Sequence, residues 1–253
     1  GIGEWMAVYE ASIRDAGAST LAVQPWGQST LDGNRFYLHL FDPPEDGQVR
    51  VGGLKTDVTK VWMMADAEQR PLAHKRLDPL TVEIAVPKNA PPTGHAVVVM
   101  EVENASNVGE HRLISVEKTN LLHAFDSRII GSGFDFGDGK ARRDYVAGWK
   151  GGDQKLLWNI YLREPATFQV TAEYQRLGEP ADFEVVVNAG TLFESRVTTK
   201  GAVVDNWFSD YIQHDMGRLD LPAGRHTIEL KPATETQEGL MRFRALTLRP
   251  MLL

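Results

Sequence analysis

The chain has 253 residues, 42% hydrophobic and 24% charged, an ordinary globular composition that excludes a disordered chain. Its formal net charge is −7, so its surface repels a phosphate backbone and no nucleic-acid partner is expected. Cysteine is absent, which excludes a disulfide framework, a thiolate metal site and a cysteine nucleophile. No apolar run approaches the roughly 18 residues of a membrane span, so no membrane partner is expected either.

From Gly1 to Arg14 the residues Ile2, Trp5, Met6, Tyr9 and Ile13 recur at steps of three and four, as on one face of a helix. A helix this short is marginal alone and reads as the tail of a larger body. No basic region followed by an apolar core precedes it, so no signal peptide is read here. Beyond Pro25 strand signals take over. Asp32-Gly33 sets a tight turn before a strand from Arg35 to Phe41, and Asp46-Gly47 sets the next before Gln48 to Val51. Val58 to Met64 is more continuously apolar and reads as a central strand. Leu80, Val82, Ile84 and Val86 alternate with Thr81, Glu83 and Ala85 as a half-buried strand that Pro87 ends, and Ala96 to Val102 is the last run of this block. Short strands bounded by turns argue for a small antiparallel sandwich.

Glu103 to Glu110 is polar and aperiodic, as a linker should be. Ser127 to Gly152, rich in Gly, Asp and Arg, reads as one or two long loops. Strands then resume. Leu156, Trp158, Ile160 and Leu162 share one face, as do Phe168, Val170, Ala172 and Tyr174, then Phe183, Val185 and Val187. After the turn at Pro222-Ala223-Gly224 come His226, Ile228 and Leu230, and Met241 to Leu248 is the last strand of a second sandwich.

Chemical motifs are scarce. There is no His-Glu-x-x-His, no phosphate-binding glycine loop and no Gly-x-Ser-x-Gly elbow. The seven histidines (His39, His74, His95, His111, His123, His214 and His226) include no pair at metal-ligand spacing. Asp135-Phe136-Gly137-Asp138-Gly139 lacks the alternating oxygen ligands of a calcium loop and reads as an Asp-Gly turn. No metal, cofactor or catalytic residue is expected. Trp149, after Gly148, and Trp207, in Val204-Asp205-Asn206-Trp207, read as loop aromatics. Such rings stack on the C–H faces of a sugar, with Asp205, Asn206 and Arg143 placed to hold hydroxyls; the alternative is that each ring caps its own sandwich. Trp158 reads as core, and Trp26 and Trp62 as core or domain-interface residues.

Ile2-Gly3-Glu4-Trp5-Met6 and Tyr9-Glu10-Ala11-Ser12-Ile13 are similar to segments at the end of the α-L-fucosidase barrel. Pro25-Trp26-Gly27 and Thr30 continue the match. Phe36-Tyr37-Leu38-His39-Leu40-Phe41-Asp42 resembles a strand of that family, followed by Asp46-Gly47, Gly53-Leu54 and Ala65-Asp66. The resemblance covers residues 1–103. Ser12-Ile13-Arg14 departs from the family's Ile-Tyr-Gly, and no residue here matches the family's nucleophilic aspartate or its acid/base carboxylate, which lie upstream on the barrel. Gly148-Trp149, Pro165 to Val170 and Leu221 to Ile228 more weakly resemble a β-sandwich carbohydrate-binding module. Many such modules hold a structural calcium through acidic residues near the first and last strands; the comparable segments here read His123-Ala124-Phe125-Asp126 and Arg242-Phe243-Arg244.

The fold class is therefore all-β: two antiparallel β-sandwich domains preceded by a short N-terminal helix. Residues 1–14 are read as the tail of a catalytic barrel, 15–103 as the fucosidase C-terminal sandwich, 104–111 as a linker and 112–253 as the carbohydrate-binding-like sandwich. The resemblance implies the non-catalytic C-terminal region of a retaining α-L-fucosidase. Its implied partners are the parent's catalytic barrel and a fucose-containing glycan held by Trp207, Trp149, Asp205, Asn206 and Arg143. The alternative is a purely structural or oligomerisation accessory that binds no sugar. A periplasmic or secreted location is favoured.

Overall fold

In the computed structural model, which describes residues 2–87, 96–204, 209–235 and 239–251, the chain divides into two units, 1–113 and 114–253. The fold is all-β, with one short helix, α1 (Ile2–Tyr9), continued by a 3₁₀ turn over Glu10–Ser12.

The first unit holds β1 (Gly17–Ala18), β2 (Gly27–Asp32), β3 (Arg35–Leu40), β4 (Gln48–Gly52), β5 (Val58–Met63), β6 (His74–Asp78), β7 (Thr81–Ala85), β8 (Ala96–Val102) and β9 (Arg112–Leu113). A five-stranded antiparallel sheet, ordered β1-β2-β3-β8-β5, is accompanied by a three-stranded one, β4-β7-β6. Their inner faces supply Phe36, Leu38, Val49, Val51, Ile84 and Met100 to one core. Gly33, at φ +58°, allows the tight reversal between β2 and β3 that Asp32-Gly33 predicts.

The outward face of the larger sheet is apolar as well. Tyr37, Trp62, Val97 and Val99 cluster there with Tyr9 of α1, and the Trp5 ring packs against Tyr9 in a tilted arrangement at 4.8 Å between centroids. The i, i+4 spacing of Trp5 and Tyr9 thus gives α1 a seat on the sheet, so its stability comes from packing rather than propensity. This second layer corrects one expectation. β5 lies at the sheet edge rather than the centre, and reads as continuously apolar because Val61 enters the core while Trp62 packs under α1. Residues 104–111 are also not a free linker. Ala105 is buried, Gly109 donates its N–H to the Gly53 carbonyl at 2.7 Å, and Asn107 accepts from Lys55.

The second unit holds β10 (Asn120–His123), β11 (Arg128–Ile130), β12 (Asp135–Phe136), β13 (Val146–Ala147), β14 (Lys155–Leu162), β15 (Ala166–Arg176), β16 (Asp182–Val187), β17 (Phe193–Thr198), β18 (Ile212–Leu221), β19 (Gly224–Pro232) and β20 (Met241–Pro250). One sheet runs β12-β13-β20-β15-β18, with β10 also on β20; the other runs β11-β14-β19-β16-β17. β14 shows strict alternation, with Leu156, Trp158, Ile160 and Leu162 buried as their spacing predicts. The region read as long loops, 127–152, in fact contains β11, β12 and β13, each too short to show a period.

Candidate functional site

The five residues singled out as a sugar site separate. Asp205, Asn206 and Trp207 lie outside the described residues. Trp149 is 0% exposed, and its ring is core. Its Nε1 donates to the Val146 carbonyl at 3.2 Å, and Phe134 meets it edge-on at 5.0 Å. The chain turns inward at Gly148, whose φ is +75° and where a Cβ would sit 2.6 Å from the Gly133 carbonyl oxygen. Gln154 then fixes the turn. Its Oε1 accepts from Lys150 N and Gly151 N, at 2.5 and 3.2 Å, and its Nε2 donates to the Ser132 and Gly148 carbonyls, at 2.9 and 3.0 Å. With no exposed face, the Trp149 ring cannot stack on a sugar, which removes it from the candidate set.

Arg143 stays accessible, on the connection between β12 and β13, where it pairs with Asp138 at 2.9 Å. Its neighbour Arg142 ties that connection to the segment before β18. It reaches Asp210 at 2.7 Å and the Ser209 carbonyl at 3.2 Å, while Tyr211 Oη donates to the Arg142 carbonyl at 3.0 Å. Gln175 Nε2 donates to the same Ser209 carbonyl at 2.6 Å.

These two segments meet over the outward face of the sheet containing β15 and β20. Arg244 of β20 lies between Asp144, at 3.1 Å, and Glu173, at 2.8 Å, with the Tyr211 ring 5.5 Å away. Arg242 lies 5.2 Å from the Tyr145 ring and reaches Gln175 at 3.3 Å. His123 Nε2 is 2.9 Å from Asp144, and its Nδ1 accepts from Phe125 N at 3.2 Å, so the proton sits on Nε2 and is donated to the carboxylate. Burial alone would raise the Asp144 pKa, but hydrogen bonds from His123 and Arg244 outweigh it and hold the carboxyl below its ordinary range. Tyr211 is pushed up, by burial first and by Asp144 second.

This arrangement keeps Asp144 ionised, the opposite of what a general acid needs. Among the described residues no group of three or more His, Asp or Glu side chains is placed to hold a metal ion. Where a divalent cation would draw carboxylates together, the Arg244 guanidinium does so. Sequence reasoning noticed Arg242 and Arg244 only as departures from a carboxylate pattern; the tyrosines that cover them carry no signal of their own. In the first unit, a cleft of about 280 Å³ is lined by Asp57, Val58, His74, Lys75, Arg76 and Val82. Arg76 is engaged there with the Leu54 and Thr56 carbonyls.

No protein-family model and no curated protein matches the chain. Among solved structures, an α-L-fucosidase from Vibrio sp. strain EJY3 superposes on all of it, with TM-score 0.59 and 16% identity. The chain has the fold of an α-L-fucosidase segment. It spans 44% of that enzyme's length. α-L-Fucosidase isoenzyme 1 from Paenibacillus thiaminolyticus matches 41% of the chain and 25% of its own, at 25% identity and TM-score 0.36. The CBM36-1 domain of a multidomain xylanase from the hindgut metagenome of Trinervitermes trinervoides matches 53% of the chain and 99% of its own, at 12% identity and TM-score 0.42.

Proposed function

We propose that the chain is the non-catalytic accessory region of an α-L-fucosidase, bracing a catalytic barrel supplied by the rest of the parent polypeptide. The observation that carries this reading is the match of one fucosidase along the entire chain while more than half of that enzyme lies outside it. The ordered resemblance over residues 1–103 supports it from the sequence. The first unit also offers a surface suited to the task. α1 is apolar on its sheet side and beyond, and Val8, Ile13 and Phe41 are 45%, 47% and 54% exposed. A helix apolar on more than one side belongs in an interior.

The test is enzymatic. Purified chain should leave an aryl α-L-fucoside unhydrolysed, and the gene's reading frame upstream of the Gly1 codon should encode a barrel that hydrolyses it. Turnover by the isolated chain would sink the proposal.

A second reading, glycan binding by the second unit, is favoured by the face where Arg242 lies beside the Tyr145 ring and Arg244 beside the Tyr211 ring, with Arg143 two residues before Tyr145 on the same connection, since planar cationic donors beside aromatic rings suit sugar hydroxyls and C–H faces. Calorimetric titration with fucosylated oligosaccharides should give heat that Arg143→Ala abolishes. No heat at millimolar ligand leaves the second unit a purely structural accessory.

A further inference from the structure

We propose that the cleft between β5 and β6 binds an oxyanion group, a sulfate ester or a carboxylate, carried on a ligand of monosaccharide size. The site lies within the first unit and does not depend on the fucosidase reading. β5 is an edge strand of the five-stranded sheet and β6 an edge strand of the three-stranded one. Val58 of β5, His74, Lys75 and Arg76 of β6, Val82 of β7 and the preceding Asp57 line the cleft, whose volume is about 280 Å³. That is close to the lower end of small-molecule pockets, room for one sugar ring and its substituent.

Arg76 distinguishes this cleft from an ordinary gap at a sheet edge. Its partner across the ladder is Val82, a core residue 2% exposed, so Arg76 takes a core-facing register position. Its stem can cover the end of the core while the half-buried guanidinium lines the cleft. Two of the five guanidinium N–H groups donate to the Leu54 and Thr56 carbonyls. Those acceptors are neutral, so they hold the fork in place without cancelling its charge. Asp57 lies 3.7 Å from Nη2, beyond hydrogen-bond reach, and its side chain is 79% exposed, so the pair is weak. Among the described residues, three N–H groups of Arg76 therefore remain for a ligand, and a guanidinium fork suits an oxyanion.

The neighbouring charges favour the same class of ligand. Lys75 and Arg50 share one carboxylate, Glu83, at 3.0 and 3.1 Å. With Arg76 set against Asp57, the cleft's charged groups and their ion-pair partners carry one positive charge in excess, on a chain whose net charge is −7. A small anion sits inside that local field, whereas a polyanion would also meet the negative remainder of the molecule. Val58 and Val82 add an apolar wall that the C–H face of a sugar ring can use and a free ion cannot.

Two-dimensional NMR on the full chain, at constant ionic strength, tests this with glucose 6-sulfate, glucuronate, inorganic sulfate and glucose. One or both anionic sugars should shift the Val58, His74 and Val82 amides and the Arg76 Nε resonance, and the pair shows which oxyanion is preferred. Inorganic sulfate should act on the same resonances more weakly, and glucose should not act on them. Asp57→Asn removes the competing carboxylate at an exposed position and should tighten binding about two- to fivefold. Arg76→Gln should weaken it about tenfold or more, with the Phe36 and Met100 amides unmoved to show an intact core. If Arg76→Gln disturbs those amides too, Asp57→Asn decides the matter alone. The proposal is overturned if neither anionic sugar shifts the cleft resonances at about 20 mM, if glucose shifts them equally, if inorganic sulfate binds as tightly as the anionic sugars, or if Asp57→Asn fails to tighten binding.

Discussion

At the scale of single residues, Trp149 shows how far a sequence can mislead. It follows a glycine inside a Gly-rich stretch without periodicity, which is how exposed loop aromatics look. Its burial depends on Gln154, five residues on, whose four hydrogen bonds fold the loop inward. Nothing in the residue type marks that Gln as different from a surface glutamine. Trp149→Ala should therefore destabilise the second unit by about 3–5 kcal/mol in a denaturant titration, the cost of emptying an aromatic core site, without changing any glycan affinity. Gln154→Ala should cost about 2–4 kcal/mol, because backbone donors and acceptors lose their partner together. Arg244 yields a pH prediction. The folded-state pKa of Asp144 lies below its unfolded value, so the associated stability is present above the ordinary carboxylate range and is lost as pH falls through the folded value. Arg244→Met removes one cause of that depression. Acid unfolding of the variant, followed by circular dichroism, should begin at higher pH than in the parent chain.

At the scale of elements, what was legible followed from burial on one face only. β14 and β15 have clean alternation, and the spacing of their apolar residues matches the burial observed. β18 went unread because its inward residues are Ile212, His214, Met216, Leu219 and Leu221: one is polar, and the register shift opposite Val170 and Thr171 interrupts the period. α1 was legible as a helix, but its packing on the sheet was not, since the apolar outward face of β3, β5 and β8 cannot be told from inner-face residues by counting. The seat makes a prediction. Tyr9 belongs to one buried cluster with Tyr37, Trp62, Val97 and Val99, so Tyr9→Ala should uncover part of a valine-rich sheet face. Stability of the first unit should drop by about 2–4 kcal/mol, and a dye that reports exposed apolar surface should bind the variant more strongly. An unchanged unfolding midpoint would mean that α1 contributes no packing energy.

At the scale of the whole molecule, the buried clusters of the two units share no residue among the described residues. The resemblances in the sequence also fall into two groups, one within residues 1–103 and one within the second sandwich, which is why an architecture of two sandwiches could be read before any strand pairing was known. Strand order could not, because pairing such as β3 with β8 is set by contacts some sixty residues apart that leave no local mark. Separate cores imply separable energetics. Substitutions far apart with no shared partners add. Tyr9→Ala and Trp149→Ala each act within one core, so the double variant should lose the sum of the two single losses, within about 0.5 kcal/mol. Residues 114–253 expressed alone should unfold cooperatively, and Trp149→Ala should lower that midpoint as it does in the full chain. Tyr9→Ala should leave amide protection in β14 unchanged. If instead the double variant departs from additivity by more than about 1 kcal/mol, the two cores are coupled and the chain must be treated as one cooperative body.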